Sequence, residues 1–302
     1  MGTNTGLSRS AGFAALSALL VVSWSSGFIG IRYATESATV FQTLFWRSLL
    51  SGLGLLPFLA FGPRPTVRAI GQQALYALLG MGLYLGGFAL AIGQRVPTGL
   101  VALMADLVPL AIAALSGPML GERLSPRQWL GTAIALAGVL LVSTDALRLG
   151  AAPGWAYLLP IAGMLSFAVA TVMQEARRDC DERLTIPQRL CLQCLWAAAF
   201  FAPFAHATGG IIADLTTPFV VGVGWLVLLA TYCSWLTYYL MLRLYPPARV
   251  AAVIYLSPPV TMIWAAVWFH EPLTYAMGLG LFVTFAGVWL VSGGWRAEPR
   301  PT

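Results

Sequence analysis

Apolar residues fill this chain in long runs, each closed by a short polar break. A helix needs about 20 mostly apolar residues to cross the hydrocarbon of a bilayer. Runs of that kind cover residues 11–32, 38–61, 70–93, 96–118 and 125–144, then 154–175, 186–207, 218–242, 247–269 and 274–294. A break carrying Asp145, Arg148, Pro153 and Gly154 separates the two sets. The pattern predicts an all-α polytopic membrane protein with ten transmembrane helices. The first apolar run is much longer than the 7–15 residues of a signal h-region, and no small-x-small cleavage site is suitably placed. It is therefore expected to be an uncleaved first helix.

Composition supports the same class. The 302 residues contain 9% charged and 59% hydrophobic side chains, with a mean hydropathy of +0.79. An ordinary soluble protein carries about 25% charged residues, so this chain lacks the polar surface that water would require and is expected to have lipid as its main partner. The net charge of +6 comes from 17 basic residues, all of them Arg. They lie singly or in pairs between the apolar runs rather than in a stripe, which argues against nucleic acid as a partner. With the N-terminus inside, thirteen Arg fall in inside segments and three (Arg32, Arg95 and Arg148) outside. The positive-inside bias therefore predicts that both termini are cytoplasmic.

A shift of 149 residues lays Pro97–Ser143 on Pro246–Ser292 without a gap. Pro97 meets Pro246, Val101-Ala102 meets Val250-Ala251, Pro109 meets Pro258, Glu122 meets Glu271, and Ala137-Gly138-Val139 meets Ala286-Gly287-Val288. Two units are expected, residues 1–149 and 150–302. Five helices per unit is an odd number, so the second unit must enter the membrane inverted. The turn Gly121–Arg127 carries two Arg and its counterpart His270–Ala276 carries none, as opposite faces require. Inverted repeats are the architecture of many secondary transporters, with the substrate site near the midplane between the halves. One chain already supplies both halves, so a monomer is expected to suffice.

The repeated P-x₃-V-A…P…G-E/H-E-x-L…A-G-V-x-L-V-S pattern resembles the EamA domain of the drug/metabolite transporter superfamily. Ser23-Trp24-Ser25-Ser26-Gly27-Phe28 is similar to that family's first-helix W-G-x-x-F signature, with Ser25 where Gly is usual, and Phe45-Trp46-Arg47-Ser48-Leu49-Leu50 to its second-helix Arg motif. The resemblance implies a ten-helix exporter of amino acids and related metabolites, typically in a bacterial inner membrane. One branch of the superfamily exports aromatic amino acids. It further implies that helices one to four and six to nine line a central cavity.

Arg47 and Asp106 are the ionisable side chains placed well inside spans. A charge there costs at least about 2.5–3.5 kcal/mol on insertion scales and normally faces protein or water. Arg47 is a candidate for a substrate carboxylate and Asp106 for proton linkage; a purely structural role is the alternative for each. The repeat equivalent of Asp106 is Tyr255, so the acid is not demanded by the repeat. Aromatic candidates for the cavity wall are Trp24, Tyr84, Phe88, Phe167, Tyr232, Trp235, Tyr239 and Tyr255. Of these, 232, 235 and 239 share a face at α-helical spacing. Pro109 and Pro258 are expected to bend the fourth and ninth spans as paired hinges, because proline removes a backbone donor and clashes with the preceding turn.

Cys191-x-x-Cys194 lies within an apolar run with no second pair and no nearby His, so a structural role outweighs a metal or redox one. The chain has no H-E-x-x-H, no paired acidic motif and no Lys, which argues against an intramembrane enzyme and predicts no metal or cofactor. It has no phosphate-binding loop either, so a gradient must drive any transport. The expected function is export of small amphipathic metabolites, above all neutral and aromatic amino acids, by alternating access. A broad-specificity drug or cation exporter of the same fold is the alternative.

Overall fold

Proline and the capping residues decide where these apolar runs become helices. The computed structural model describes residues 4–108, 110–112, 114–115, 125–149, 152–176, 184–244, 250 and 253–292, and every regular element among them is helical. The helices are α1 (Asn4–Ala34), α2 (Val40–Leu55), α3 (Val67–Ala77), α4 (Tyr84–Gly93), α5 (Thr98–Ala105), α6 (Pro126–Leu149), α7 (Leu158–Ala176), α8 (Ile186–Gly209), α9 (Thr217–Trp225), α10 (Ser234–Leu244), α11 (Ser257–Phe269) and α12 (Tyr275–Ser292). A π-helical segment, Leu78–Leu83, joins α3 to α4, and another, Leu226–Cys233, joins α9 to α10. Five stretches are long and apolar enough to cross a membrane: Gly12–Ala34, Val67–Gly93, Gly154–Gln174, Ile186–Gly209 and Thr217–Tyr238. The remaining apolar helices are shorter among the described residues. The run 38–61, for instance, is interrupted at Leu56 because Pro57 has no N–H to continue the α2 ladder.

The packing has an internal two-fold character. Helices α2 and α8 both begin on a Thr-x-x-Gln capping box, Thr39/Gln42 and Thr185/Gln188, which satisfies two orphan donors of a helix N-terminus at once. Each glutamine then reaches the far end of the other helix. Gln42 Nε2 donates to Gly210 O at 2.9 Å, and Gln188 Nε2 donates to Pro63 O at 3.0 Å. The two helices therefore run antiparallel and exchange the same contact. Helices α6 and α12 do likewise. A side chain added at Gly138 would meet Gly280 O, and one added at Gly287 would meet Gly131 O; each pair is the other's image under the 149-residue shift. Thr284 donates to its own repeat equivalent, Ala135 O, at 3.4 Å. Helix α1 packs on the α9–α10 rod and α4 on α7, while α5 packs on α11.

Pro258 opens a helix rather than bending one. In the second half the chain breaks at Tyr255–Leu256, and Pro258 lies in the first turn of α11 rather than in mid-helix. In the first half the break falls at the equivalent Asp106–Leu107. Pro109 lies outside the described residues. A proline ring clashes with the carbonyl four residues before it, and that clash ends the ladder ahead of Pro258. Ser25 uses the space beside the second break. Its buried hydroxyl lies 3.1 Å from Ser257 Oγ and 3.2 Å from Ser257 O, which ties α1 to α11. The expected glycine at this position would make neither contact.

Close glycine packing between α6 and α12 yields a stability test. Gly138→Ala is expected to cost about 1–3 kcal/mol, the usual range for overpacking. Gly278→Ala on α12, which has open space around it, should be near neutral. Unfolding titrations of the two variants in detergent micelles check this.

Candidate functional site

Helices α4 and α10, each preceded by a π-helical segment, frame a cavity in the bundle with α1 and α2. The segments are repeat equivalents, since Leu78–Leu83 shifted by 149 falls within Leu226–Cys233. A π turn bonds i→i+5 and is rare outside functional sites. In the second segment hydroxyls accompany it: Thr231 Oγ1 donates to Leu226 O and Ser234 Oγ to Leu229 O, each at 2.9 Å. Trp24 and Phe28 from α1, Arg47 from α2, Tyr84 and Phe88 from α4, and Trp235 from α10 line the cavity. Ala230 and Ser234 supply its small-residue side.

The wall is an aromatic network. Trp24 lies 6.1 Å from Trp235 and 5.9 Å from Tyr238 between ring centroids, Tyr84 4.5 Å from Phe88, and Phe28 6.3 Å from Phe88. Phe167 sits outside this lining as the second layer, 4.6 Å from Tyr84. The cavity encloses about 90 Å³. An apolar cavity of roughly 150 Å³ takes up benzene; this one is smaller, so its walls are expected to part for a ring-bearing solute.

Arg47 is the one charged group of the lining among the described residues. Its Nη2 reaches Thr231 Oγ1 at 3.5 Å, and its electrostatic neighbours are Cys194 and Tyr84 rather than a carboxylate. A single long hydrogen bond to a neutral hydroxyl is worth at most about 1.5–3 kcal/mol, which at best matches the insertion cost of about 2.5–3.5 kcal/mol for Arg. The guanidinium has five N–H donors in a fork that suits a carboxylate. Most of that donor capacity has no protein acceptor among the described residues.

Asp106 lies elsewhere. It caps the C-terminal end of α5, is buried, and does not border the cavity. Its Oδ2 has no hydrogen-bond partner. Tyr84 and Tyr255 interact with it electrostatically, and Tyr84 interacts with Arg47 as well. Asp106 and Tyr255 are equivalents under the repeat, so this acid sits where the halves meet.

Of the residues singled out in the sequence, Trp24, Arg47, Tyr84, Phe88 and Trp235 converge on the cavity, while Phe167 and Tyr255 stand behind it. Tyr232 does not join them. Its hydroxyl donates to Ser51 O at 2.9 Å and its side chain packs against the cluster of Ala213, Phe219, Val223 and Val227. The π segment that holds Tyr232 winds more residues into each turn, so α-helical spacing does not carry 232 and 235 to one face. Tyr239 lies on α10, but its side chain is outside the described residues. Phe28 was present in the sequence only as part of a motif, and the hydroxyls of Thr231 and Ser234 carried no signal there.

A bundle of long apolar helices around an aromatic cavity with one cation defines a polytopic membrane transporter. The chain belongs to the EamA-like transporter family, whose model matches residues 12–144 and again 154–293. That family lies in the drug/metabolite transporter superfamily, and the relatives the chain resembles are transporters, among them inner-membrane ones. The chain is 27% identical to the uncharacterized inner membrane transporter YedA of Escherichia coli strain K12, over 93% of this chain and 90% of that one. It is 29% identical to a protein named a probable amino-acid metabolite efflux pump from Salmonella typhimurium, over 97% and 98% of the two chains. It is 28% identical to one named a probable terminal-alkyne amino-acid exporter from Streptantibioticus cattleyicolor, over 91% of each. A crystal structure with 17% identity shares the fold at a TM-score of 0.62, covering 91% of this chain and 94% of that one.

Because Tyr232 is anchored away from the cavity, Tyr232→Phe is expected to lower stability by about 0.5–1.5 kcal/mol, the worth of one hydrogen bond. Substrate affinity should be unchanged. Paired unfolding and binding measurements check both.

Proposed function

We propose that this protein exports small amphipathic metabolites, above all neutral and aromatic amino acids, by alternating access between two inverted five-helix repeats. The repeats are residues 1–149 and 150–302, ten helices in all, with both termini in the cytoplasm. The observation that carries the reading is Arg47, a cation without a carboxylate partner, facing a cavity walled by Trp24, Phe28, Tyr84, Phe88 and Trp235. A fork of donors beside apolar rings suits a carboxylate on an apolar body. The relatives named for amino-acid metabolites and amino acids point the same way. A cationic drug is disfavoured at this site because Arg47 would repel it and no acid among the described residues borders the cavity.

Binding opens the cavity on one face, and closure over the solute permits opening on the other. Asp106, buried with an unpartnered Oδ2 at the meeting of the halves, is the group suited to couple this exchange to a proton gradient. Its contact with Tyr84 links it to the wall that also touches Arg47.

Proteoliposomes loaded with labelled phenylalanine or leucine test the reading. Saturable flux is expected, and Arg47→Gln should weaken apparent affinity about 30-fold or more, because losing one member of a buried charge pair costs 2–5 kcal/mol. Asp106→Asn should keep exchange at equal pH and lose acceleration by an imposed pH gradient. If no amino acid moves under any gradient, the substrate class falls.

A further inference from the structure

At the end of the bundle where α1 finishes, one carboxylate ties the two sequence halves together. Glu271, in the connection between α11 and α12, accepts the backbone N–H of Thr98 on Oε2 at 2.8 Å and the Thr98 hydroxyl on Oε1 at 2.6 Å. Thr98 is fully buried and opens α5. The carboxylate thus satisfies one orphan donor of that helix and faces the positive end of its dipole. The connection is shaped for this reach, since His270 takes a left-handed conformation at φ 55° that ends α11 and turns the chain back. Charge-assisted bonds of this length are the strong ones.

The neighbourhood marks this end as a closure. Arg32, near the end of α1, lies 5.1 Å from the Phe269 ring and interacts electrostatically with Glu271, Glu36 and Arg95. Ile31 and Ile92 are the cavity-lining residues nearest the ends of α1 and α4. The tie therefore joins α5 to the α11–α12 connection at this end of the bundle.

We propose that the Glu271–Thr98 pair is the latch of the outer gate, the face that the Arg distribution assigns to the outside. This rests on the transporter reading above and goes beyond it, because it assigns which gate is held shut and by what. The repeat makes the latch unequal between the two faces. Glu122 is the equivalent of Glu271, but the equivalent of Thr98 is Pro247. Proline has no backbone N–H and no hydroxyl, so residue 247 can offer an equivalent carboxylate neither bond. The latch consequently has no such equivalent at the other gate, and the empty carrier is expected to rest with its cavity reachable from the cytoplasm, where an exporter loads.

The test uses Ala89→Cys, on the cavity wall, as a reporter for a membrane-impermeant thiol reagent in right-side-out and inside-out vesicles; the chain without that cysteine gives the background. Glu271→Gln should raise labelling from outside about tenfold, the change that 1.4 kcal/mol produces, and lower it from inside. Thr98→Val, which removes only the hydroxyl bond, should shift labelling the same way by less, and Thr98→Ser should leave it unchanged. Unchanged rates for Glu271→Gln and Thr98→Val overturn the latch, as does an equal rise from both sides, which would mean a loosened fold. Labelling needs no substrate, so the latch stands or falls separately from the amino-acid assignment.

Discussion

An arginine held within a membrane bundle without an acid to meet it is the constraint around which the site is organised. Lipid offers no compensation for that charge, so the surrounding helices must either neutralise it or keep it for a ligand. They supply one hydroxyl, Thr231, at 3.5 Å. The potential counter-ion, Asp106, is set apart at the break after α5 and is linked to Arg47 only through their common neighbour Tyr84. A protein that used Arg47 purely as structural cement would be expected to seat it on carbonyls or a carboxylate, as α2 seats Gln42 on Gly209 and Gly210. The contrast between a fully engaged amide and a largely unengaged cation on one helix separates scaffold from site.

The scaffold itself follows from doubling. Each close packing of α2 on α8 and α6 on α12 is made once and then repeated by symmetry, so a few sequence features (a Thr-x-x-Gln box, a spaced glycine pair) fix two interfaces each. Function enters where the doubling fails. Asp106 faces its equivalent Tyr255, Thr98 corresponds to a proline, and Arg47 comes from the first half alone. A symmetric pair would have two equal gates and no preferred face; in the proposed reading these substitutions supply the direction.

Much of this was legible in the sequence, because lipid leaves a coarse and strong signature. The apolar runs, the ungapped repeat and the clustering of Trp24, Arg47, Tyr84, Phe88 and Trp235 all follow from hydropathy, register and the EamA resemblance. The misreadings share a cause. Tyr232 was grouped with Trp235 by counting 3.6 residues per turn, and that count does not hold in a π segment whose sequence, Leu-Val-Leu-Leu-Ala-Thr-Tyr-Cys, carries no marker of wider winding. Pro258 was read as a bend inside a helix, yet it opens one, because an apolar run does not reveal where its backbone ladder stops. The bonds of Glu271 to Thr98 join residues 173 apart, and no local pattern announces a contact of that range.

The central claim is that Arg47 waits for a substrate carboxylate inside an aromatic wall. Trp24 and Trp235 in that wall make binding visible as a change in intrinsic fluorescence. The direct measurement is titration of the purified protein with phenylalanine and with phenethylamine, which differ by the carboxylate alone. The account predicts saturable quenching by phenylalanine and binding at least about tenfold weaker for the amine, a difference of 1.4 kcal/mol or more. Equal or tighter binding of the amine would contradict it.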